Sequence, residues 1–494
     1  MIWQAGNLPW QKMKEISALY RGHLSVMKPY APLMKTGKLF ILICIIITLI
    51  LIYYIWFVKL TIDMRKGKVK EPFSTDEPIC KHNVVQDTIF KVKNSKTFLV
   101  SAYLDLRGSR IVRILGITNQ HDPDSLLCDF CLVRYNYSNY AELQVHSDHF
   151  GFPYATTDLL CFIQDDRDPE YVSLYRGEDL SPVFLKIQNT NIQINNKLEP
   201  KFQYNFIICI SAMFDAYNNV LQFIQSMEMY RMLGAEKVIL YYTDSSPLMN
   251  DILHYYGNFV ELIHWPITSF INVSRGWHYP EHPGDLHYFG QTAALNDCIY
   301  RNMYKSKYIA LNDIDELIIP IIHKDWPEMV NHFHTTDPTS SVFLFENHVF
   351  PTTPQDKANS QTPEEWLSVP GVNILNHVYR EPNLPTEINP TKMILNPRSV
   401  VRVSVHVPLE FTGGQYQVPS DFAKLCHYRE PKQKDLDRSL LIPDNILSRY
   451  EPKLTEEVNR VFADVKEYIT KRTFQSGVKS LSSFENQSLS RGVH

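Results

Sequence analysis

Two aspartates separated by one residue are the strongest candidates for chemistry in this sequence. Asp313 and Asp315 follow an apolar run at 308–311 and precede another at 317–319. In an extended chain, residues two apart share a face, so both carboxylates are expected to point the same way. Paired hard oxygen ligands suit Mg²⁺ or Mn²⁺, and such an ion neutralises a phosphate leaving group. The spacing therefore predicts a metal site that takes a substrate diphosphate.

The same spacing recurs where it is typical of a solvated turn, at Asp122/Asp124, Asp166/Asp168 and Asp435/Asp437. Only Asp313 and Asp315 follow an apolar strand directly and lead into another apolar run. That context favours the ligand interpretation for this pair alone.

Strands and helices alternate around the motif. Apolar runs at 206–210, 238–242 and 260–263 predict buried strands, and an apolar stripe at 220–230 predicts a helix that ends at Gly234. A further helix is predicted at 291–303. This alternation predicts an α/β fold with βαβ units and a mixed, mainly parallel sheet flanked by helices. Ligands of such sheets collect at the carboxyl ends of the strands.

A small β-rich domain is predicted at 85–202. Short β-like runs such as 97–100 and 110–115 are separated by turn residues, and no long amphipathic helix intervenes.

The cysteines of this region predict disulfides. Cys128 and Cys131 have the spacing of a zinc half-site, but no second ligand pair follows at ligand spacing. The group of four with Cys80 and Cys161 allows three connectivities, which remain open. The three remaining cysteines are Cys209, Cys298 and Cys426. Because their number is odd, at least one is expected to be free or paired with a cysteine outside this group.

A membrane anchor is predicted at 39–58. These twenty residues carry no charge, and a helix of that length spans a hydrocarbon core of about 30 Å. A buried core helix or a cleaved signal peptide fits the segment less well. Residues 1–38 would then form a tail and residues 59–84 a stem.

The orientation of the anchor is predicted from the residues C-terminal to it, because both of its flanks are basic. Three glycosylation sequons, at Asn136, Asn272 and Asn486, and seven of the eight cysteines lie after 39–58. They predict a cytoplasmic tail and a lumenal domain.

The overall composition excludes two classes of protein. With 49 Lys+Arg against 53 Asp+Glu, the formal net charge is −4, and 44% of residues are hydrophobic. A disordered chain and a polybasic nucleic-acid binder are therefore not expected, so no nucleic-acid partner is predicted.

Several segments together resemble glycosyltransferase family 92. They are GQTAALNDC at 290–298 with Arg301 after it, DIDELIIP at 313–320, YRMLGAEKVILYY at 230–242, Lys392 to Ile394 with Pro397 ahead of His406, and Cys426 to Arg429. The resemblance covers roughly residues 203–435, and the type II anchor and the β-rich region also resemble the layout of animal members.

The resemblance implies a GT-A-like glycosyltransferase domain, assigned here to 203–472, with a flexible tail at 473–494. It implies a divalent metal, Mn²⁺ or Mg²⁺, and a nucleotide-sugar donor. The implied reaction is inverting transfer of galactose from UDP-galactose to the glycan of a glycoprotein or glycolipid. The implied location is the Golgi lumen, held by a single helix.

The same resemblance assigns candidate site residues. Asp313 and Asp315 match the metal motif, and His406 or His427 could add a ligand. The donor-binding candidates are Asp244, Gln291, Asp297, Lys392 and Arg429. Asp244 could instead be a turn or helix-cap residue, and Asp297 could pair with Arg301 on the helix surface.

An inverting transfer also needs a general base, for which Glu346 and Glu316 are candidates. The aromatic stretch 277–288 could form a sugar-stacking lip.

Two other functions remain open at the level of sequence. One is a catalytically silent, membrane-anchored glycan-binding protein of the same fold. The other is a metal-dependent hydrolase or nucleotidyltransferase that uses the same carboxylates. The sequence assigns no oligomeric state.

Overall fold

The chain separates into two compact units, Met1–Lys66 and Gly67–His494. The protein is described from a computed structural model. The residues that the structure describes are 47–54, 68–69, 84–131, 136–164, 168–177, 183–190, 201–353 and 362–466.

The predicted membrane anchor falls mostly outside these ranges. Residues 47–54 are helical, and the remainder of 39–58 is not described. None of the helices in the described ranges combines the length and apolarity that a membrane crossing needs. The tail at 1–38 and the C-terminal segment 473–494 also lie outside the described residues.

Ten strands form two antiparallel sheets in the N-terminal part of the second unit. They are β1 (Lys68–Val69), β2 (Phe90–Lys91), β3 (Phe98–Asp105), β4 (Ile111–Asn119), β5 (Leu127–Cys131), β6 (Asn136–Tyr140), β7 (Glu142–Val145), β8 (Tyr154–Phe162), β9 (Tyr171–Tyr175) and β10 (Leu185–Lys186). The first sheet has the order β1-β6-β5-β9-β10, and the second has the order β2-β3-β4-β8-β7. Apolar side chains of both sheets share one core, so the two sheets pack face to face.

Thirteen strands follow in the remainder of the chain. They are β11 (Tyr204–Met213), β12 (Lys237–Tyr242), β13 (Val260–His264), β14 (Ser306–Asn312), β15 (Glu316–Pro320), β16 (Ser340–Pro351), β17 (Tyr379–Arg380), β18 (Thr391–Leu395), β19 (Val400–Val403), β20 (Pro408–Phe411), β21 (Gly414–Val418), β22 (Ala423–Arg429) and β23 (Ile442–Pro443). Nine of them form the central sheet, with the order β13-β12-β11-β14-β18-β16-β22-β15 and with β21 also paired to β16.

The central sheet is mixed, as predicted. Strands β13, β12, β11 and β14 are parallel to one another, whereas β18 is antiparallel to both β14 and β16. The long strand β16 pairs with β18 through Glu346 and then with β22 from Asn347 onwards. The carboxyl end of β14 therefore lies near the start of β18 and the middle of β16.

Five α-helical segments of the described residues cover the central sheet: α1 (Val220–Leu233), α2 (Pro247–Tyr255), α3 (Gln291–Asn302), α4 (Trp326–Thr336) and the helical residues 451–466. Helices α1, α2 and α4 share a core on one face of the sheet. Helix α3 packs on the other face, where the outer side of the β2-β3-β4-β8-β7 sheet covers it. Tyr103 of β3 stacks on Tyr300 of α3 with ring centroids 5.7 Å apart. The β-rich part and the α/β part therefore share a core within one unit.

The disulfides settle part of the open cysteine pairing. Cys128 of β5 bonds Cys161 of β8, which links the two antiparallel sheets, and Cys131 is disulfide-bonded as well. Cys209 of β11 bonds Cys298 of α3. Cys426 is a buried free thiol, whereas Cys80 lies outside the described residues. The prediction of disulfides rather than a zinc site is confirmed for Cys128 and Cys131.

Candidate functional site

The aspartate pair lies in a turn at the carboxyl edge of the central sheet. Strand β14 ends at Asn312 and β15 begins at Glu316, so Asp313 and Asp315 occupy the tight connection between them. The expectation of an extended segment is therefore wrong, because the backbone N–H of Glu316 bonds the carbonyl of Asp313 at 3.2 Å. Ile314 packs into the core, and the side chains of Asp313 and Asp315 are 32% and 35% exposed. The turn presents both carboxylates to a ligand.

A buried lysine compensates the first aspartate. Lys392, at the start of β18, has a side chain that is 2% exposed. Its Nζ lies 2.7 Å from Asp313 Oδ2 and 3.1 Å from Glu316 Oε2. Burial alone would lower the pKa of Lys392, but these two carboxylates outweigh burial and raise it. Lys392 is therefore a fixed positive charge directly beneath the carboxylate turn.

A histidine compensates the second aspartate. Strand β22 places His427 opposite Glu316, with Nε2 at 3.2 Å from Asp315 Oδ2 and Nδ1 at 3.4 Å from Glu316 Oε1. Burial opposes protonation of His427, yet the two carboxylates raise its pKa. Burial also opposes ionisation of Asp315, but His427 outweighs it and lowers the pKa of Asp315. His427 is thus placed as an ion-pair partner of Asp315.

His406 differs from His427 in its protonation. Burial, followed by the charge of Lys392, lowers the pKa of His406 to about 4, so the imidazole is neutral at pH 7. Its Nδ1 lies 3.1 Å from the carbonyl oxygen of Thr391. If Nδ1–H donates this bond, Nε2 keeps its lone pair, which is the form that ligates metals.

The donor set around the turn fits a hard divalent cation. Asp313 and Asp315 offer partly exposed carboxylate oxygens, and His406 offers a neutral imidazole. Within the described ranges, no three His, Cys, Asp or Glu side chains form a ready-made ligand cluster. An ion at this edge would therefore complete its coordination with substrate oxygens and water.

The start of α3 reaches the same turn. Gln291, the first residue of α3, directs Nε2 to Asp313 Oδ1 at 3.0 Å and to Ser211 Oγ at 2.9 Å. The amino end of a helix favours anions, so the placement suits a phosphate near the carboxylate turn. Gln291 therefore lies beside the carboxylate turn, and its role in donor binding stays a prediction.

Strained backbone clusters around this edge. Asp215 and Ala216 after β11, and Tyr288 and Phe289 before α3, have φ values of 57°, 48°, 30° and 54°. Such conformations cost about 1–3 kcal/mol each and collect at functional sites. Burial, then the charges of Asp313 and Asp315, raises the pKa of Tyr288 to about 12. No sequence signal had pointed to Tyr288 individually.

Asp244 lies at the end of β12, where the sequence placed it. It is exposed, and one carboxylate oxygen, Oδ2, accepts the backbone N–H of Ala216 at 3.0 Å. The same carboxylate thereby fixes the strained turn after β11. Both the turn role and a contact to a ligand at this edge are compatible with the observed geometry.

Asp297 is placed away from the carboxylate turn. It is fully buried on α3, where Arg301 Nη2 lies 3.0 Å away and the hydroxyls of Tyr103 and Tyr241 donate at 2.6 and 2.5 Å. Ser101 also donates to it. The structure thus shows the pairing with Arg301 that was the alternative, but as a buried network between α3, β3 and β12 rather than as a surface pair.

The two candidate bases differ in access. Glu316 is 3% exposed, and its Oε2 lies 3.1 Å from Lys392 and accepts the N–H of Asp313 at 2.9 Å. Glu346 of β16 is 36% exposed and accepts a hydrogen bond from Ser420 at 2.9 Å. Its neighbour Phe345 is the strand partner of Lys392, so Glu346 lies close to the carboxylate turn. Only Glu346 is accessible to a substrate.

The remaining predicted positions are exposed or undescribed. Arg429 is exposed. Burial raises the pKa of Asp315, and His427 and, to a smaller extent, the charge of Arg429 lower it. Trp277 in the predicted lip is 62% exposed. Among the sequons, Asn136 begins β6 and Asn272 is exposed, whereas Asn486 lies outside the described residues.

The chain matches a known protein family. Residues 204–481, more than half of the chain, match the family described as Glycosyltransferase family 92. The match spans the central sheet and the carboxylate turn.

Two curated relatives are from Caenorhabditis elegans. Beta-1,4-galactosyltransferase galt-1 is 25% identical over 358 residues, which cover 70% of this chain and 76% of galt-1. A protein named for glycosyltransferase family 92 is 24% identical over 206 residues, which cover 41% of this chain and 38% of that protein.

Among solved structures, a UDP-glucose pyrophosphorylase complexed with UDP-glucose aligns with 53% of this chain and 99% of its own. The sequence identity is 8% and the TM-score is 0.22. A score this low does not indicate a shared fold.

Proposed function

We propose, because this chain belongs to glycosyltransferase family 92, that it transfers galactose from UDP-galactose to a glycan by a metal-dependent, inverting reaction. The observation that carries the proposal is the convergence of Asp313, Asp315, Lys392 and Gln291 at the carboxyl edge of the sheet. Glycosyltransferase activity follows from the family, whereas the donor sugar and the metal are parts of the proposal.

The donor diphosphate would lie over the carboxylate turn. Asp313, Asp315 and His406 would hold a Mn²⁺ or Mg²⁺ ion, which neutralises charge on the leaving diphosphate when bound. The chain itself supplies the buried ammonium of Lys392, the exposed guanidinium of Arg429 and the start of α3. These groups would orient the diphosphate and stabilise negative charge as UDP departs. Asp244 would contact the nucleoside.

Glu346 is the proposed general base. In the inverting step, the acceptor hydroxyl oxygen bonds to C1 of the sugar as the bond from C1 to the diphosphate oxygen breaks. The hydroxyl proton passes to the Glu346 carboxylate, and UDP leaves with the bonding electron pair. Burial opposes ionisation of Glu346, but hydrogen bonds from Asn389, Ser420 and Asn383 outweigh it and lower its pKa. The carboxylate is therefore in its basic form at neutral pH. Glu316, being buried, would position Lys392 and His427.

Galactose is proposed as the transferred sugar because of the relative galt-1, whose name assigns it a beta-1,4-galactosyltransferase activity. The identity of 25% leaves the sugar to be tested on this chain. The proposed compartment is the lumen of the secretory pathway, since the bonds Cys128–Cys161 and Cys209–Cys298 need an oxidising environment. The Golgi, and the anchor at 39–58, remain predictions.

The test is a donor screen with the full chain in detergent. UDP-galactose, UDP-glucose and UDP-N-acetylglucosamine are each incubated with Mn²⁺ and a pool of neutral glycans released from glycoproteins, and products are identified by mass spectrometry. We expect one added hexose from UDP-galactose and loss of product when EDTA is present. Product from another donor only would refute galactose, and full activity in EDTA would refute the metal. Free galactose without a glycan product would indicate hydrolysis instead.

A further inference from the structure

A chain of hydrogen bonds leads from the proposed base into the sheet. Ser420 Oγ donates to Glu346 Oε2 at 2.9 Å. On the other side of this hydroxyl, His348 Nε2 lies 3.3 Å from Ser420 Oγ. The side chain of Glu346 is 36% exposed, whereas that of His348 is 5% exposed. The chain therefore connects an accessible carboxylate to a buried imidazole.

The pairing of β16 explains why these residues meet. At Glu346, β16 changes its parallel partner from β21 to β22. The connection 419–422 between β21 and β22 therefore lies level with Glu346, and it carries Ser420. Glu346 and His348 are two positions apart in β16, so their side chains share a face of the strand. Both can thus reach the same serine hydroxyl.

The positions of the hydrogens follow from the carboxylate end of the chain. A carboxylate only accepts hydrogen bonds, so the Ser420 hydroxyl donates to Glu346 and accepts from His348. His348 Nε2 therefore carries a hydrogen. Its Nδ1 is buried and has no hydrogen-bond partner among the described residues. A buried N–H without a partner is rare, so Nδ1 is better suited to a bare lone pair.

His348 is neutral at pH 7. Burial, followed by the charge of Arg380, lowers the pKa of His348 to about 4. Lys424 adds to this effect, whereas Glu346 and Asp444 oppose it. Asp444 is itself paired with Arg380 at 3.0 Å and with Lys424 at 2.5 Å. A neutral donor holds the carboxylate without a cation beside it, so Glu346 keeps more of the basicity that a proton acceptor needs.

The order of the groups differs from that of a hydrolase with a Ser-His-acid triad. In such a triad the acid accepts from the histidine, and the serine oxygen is left to attack the substrate. Here the carboxylate accepts from the Ser420 hydroxyl, and His348 donates to that hydroxyl. Ser420 is therefore not arranged as a nucleophile.

We propose that Ser420 and His348 are positioning residues, which hold the Glu346 carboxylate in the orientation in which it takes the proton of the acceptor hydroxyl. The proposal rests on the proposed function, in which Glu346 is the general base. Thr391 is the strand partner of Glu346, and its Oγ1 donates to the carbonyl oxygen of His406 at 2.5 Å. The oriented carboxylate therefore lies beside the proposed donor site.

The test compares variants of the full chain in detergent. Ser420→Ala and His348→Leu each remove one donor of the chain, whereas Ser420→Thr and His348→Gln keep a donor in a similar position. Ser439→Ala is the matched control, because the Ser439 hydroxyl also donates to a carboxylate, that of Asp437 at 2.7 Å, but at an exposed site.

The first readout is the protonation of Glu346, which does not require activity. Carbodiimide coupling of an amine to carboxyl groups is followed against pH, and the labelled peptide is quantified by mass spectrometry. A hydrogen bond to the ionised form lowers a pKa, so its loss should raise the labelling midpoint of Glu346 by about 0.5–1 pH unit in Ser420→Ala. His348→Leu should give a smaller rise, since Ser420 still donates. Ser420→Thr and His348→Gln should recover most of each shift.

The second readout is the transfer reaction. The acid limb of kcat/KM against pH reports the base of the free enzyme, so it should move to higher pH together with the labelling midpoint. At pH 7 we expect kcat to fall about 3–10-fold in Ser420→Ala, as for loss of one hydrogen bond in the transition state. The affinity for UDP-galactose in calorimetry should stay unchanged, as should every value of the Ser439→Ala control.

A labelling midpoint and a kcat at wild-type values in Ser420→Ala would overturn the proposal. This variant decides the test even if His348→Leu does not fold, because Ser420 is only half-buried. A shifted midpoint with an unmoved acid limb would also overturn it, since Glu346 would not be the base. Shifted midpoints in a protein whose wild type transfers no sugar would instead refute the proposed function and support the chain as the device that orients Glu346.

Discussion

A substitution at Asp297 distinguishes a structural role of this residue from a role in donor binding. Asp297 lies within a motif that the family resemblance associates with the donor, yet the structure buries it completely against Arg301, Tyr103 and Tyr241. Asp297→Asn keeps the shape of the side chain but leaves the Arg301 guanidinium, which is 17% exposed, without its counter-charge. Removing one partner of a buried ion pair costs about 3–5 kcal/mol. We therefore expect the free energy of unfolding to fall by about that amount.

The assay is urea unfolding of the wild type and Asp297→Asn, followed by tryptophan fluorescence, with UDP-galactose affinity measured at low denaturant. The control is Asp168→Asn, because Asp168 pairs with Arg110 at 2.6 Å with both side chains 40% exposed. Such exposed pairs contribute about 1 kcal/mol or less. A stable Asp297→Asn protein that had lost donor affinity would refute the structural role and restore the donor-binding one.

The sign of the pH dependence follows from the same network. Burial opposes ionisation of Asp297, but Arg301 and the hydrogen bonds outweigh it and lower its pKa in the folded state. The network therefore stabilises the fold above the unfolded-state pKa of about 3.9, and this stability is lost as the pH falls below that value. Asp297→Asn should lack this part of the acid sensitivity.

Three further outcomes are expected. Lys392→Met removes the ammonium group that pairs with Asp313, so it should weaken UDP-galactose binding in calorimetry. It should also lower the midpoint of urea unfolding. Unchanged affinity for UDP-galactose would contradict the donor role of Lys392. The double variant Cys209→Ala/Cys298→Ala removes a disulfide with a sequence separation of 89 residues, so the free energy of unfolding should fall by about 4.6 kcal/mol. Calorimetric melting at the wild-type temperature would refute this. Burial opposes ionisation of Asp158, but His146 and two arginines outweigh burial and lower its pKa to about 2. The ionised carboxylate should therefore add about 2 kcal/mol to the free energy of unfolding above pH 4, and this stability is lost between pH 4 and 2. An Asp158→Asn protein with the wild-type acid-unfolding curve would contradict this.

The local pattern of the sequence predicts the first half of the central sheet well. The apolar runs at 206–210, 238–242 and 260–263 correspond to β11, β12 and β13, and Gly234 caps α1 with a φ of 98° as predicted. These features are encoded by residues close together in the chain, so periodicity and one glycine are sufficient to predict them.

The second half of the sheet and the charge balance of the site depend on distant residues. Lys392 pairs with Asp313 across 79 positions, and Tyr103 reaches Asp297 across 194. No local pattern encodes such pairings, so the sequence alone predicts a donor role for Asp297 and a possible role as base for Glu316. The alternation of Asp, Ile and Asp at 313–315 resembles a strand, so the local pattern does not predict the turn that the structure shows.

In the proposed reaction, transfer of galactose depends on the carboxylate turn at Asp313 and Asp315. The most direct measurement is the rate of hexose addition to neutral glycans from UDP-galactose, with Mn²⁺, for the full chain and for Asp315→Asn. Asp435→Asn is the matched control, since Asp435 is exposed and belongs to an Asp-x-Asp pair with no role in the site. We expect Asp315→Asn to lose at least about 100-fold in rate, as when one electrostatic group of an active site is removed, and Asp435→Asn to keep the wild-type rate. Equal rates in the two variants would show that transfer does not depend on Asp315.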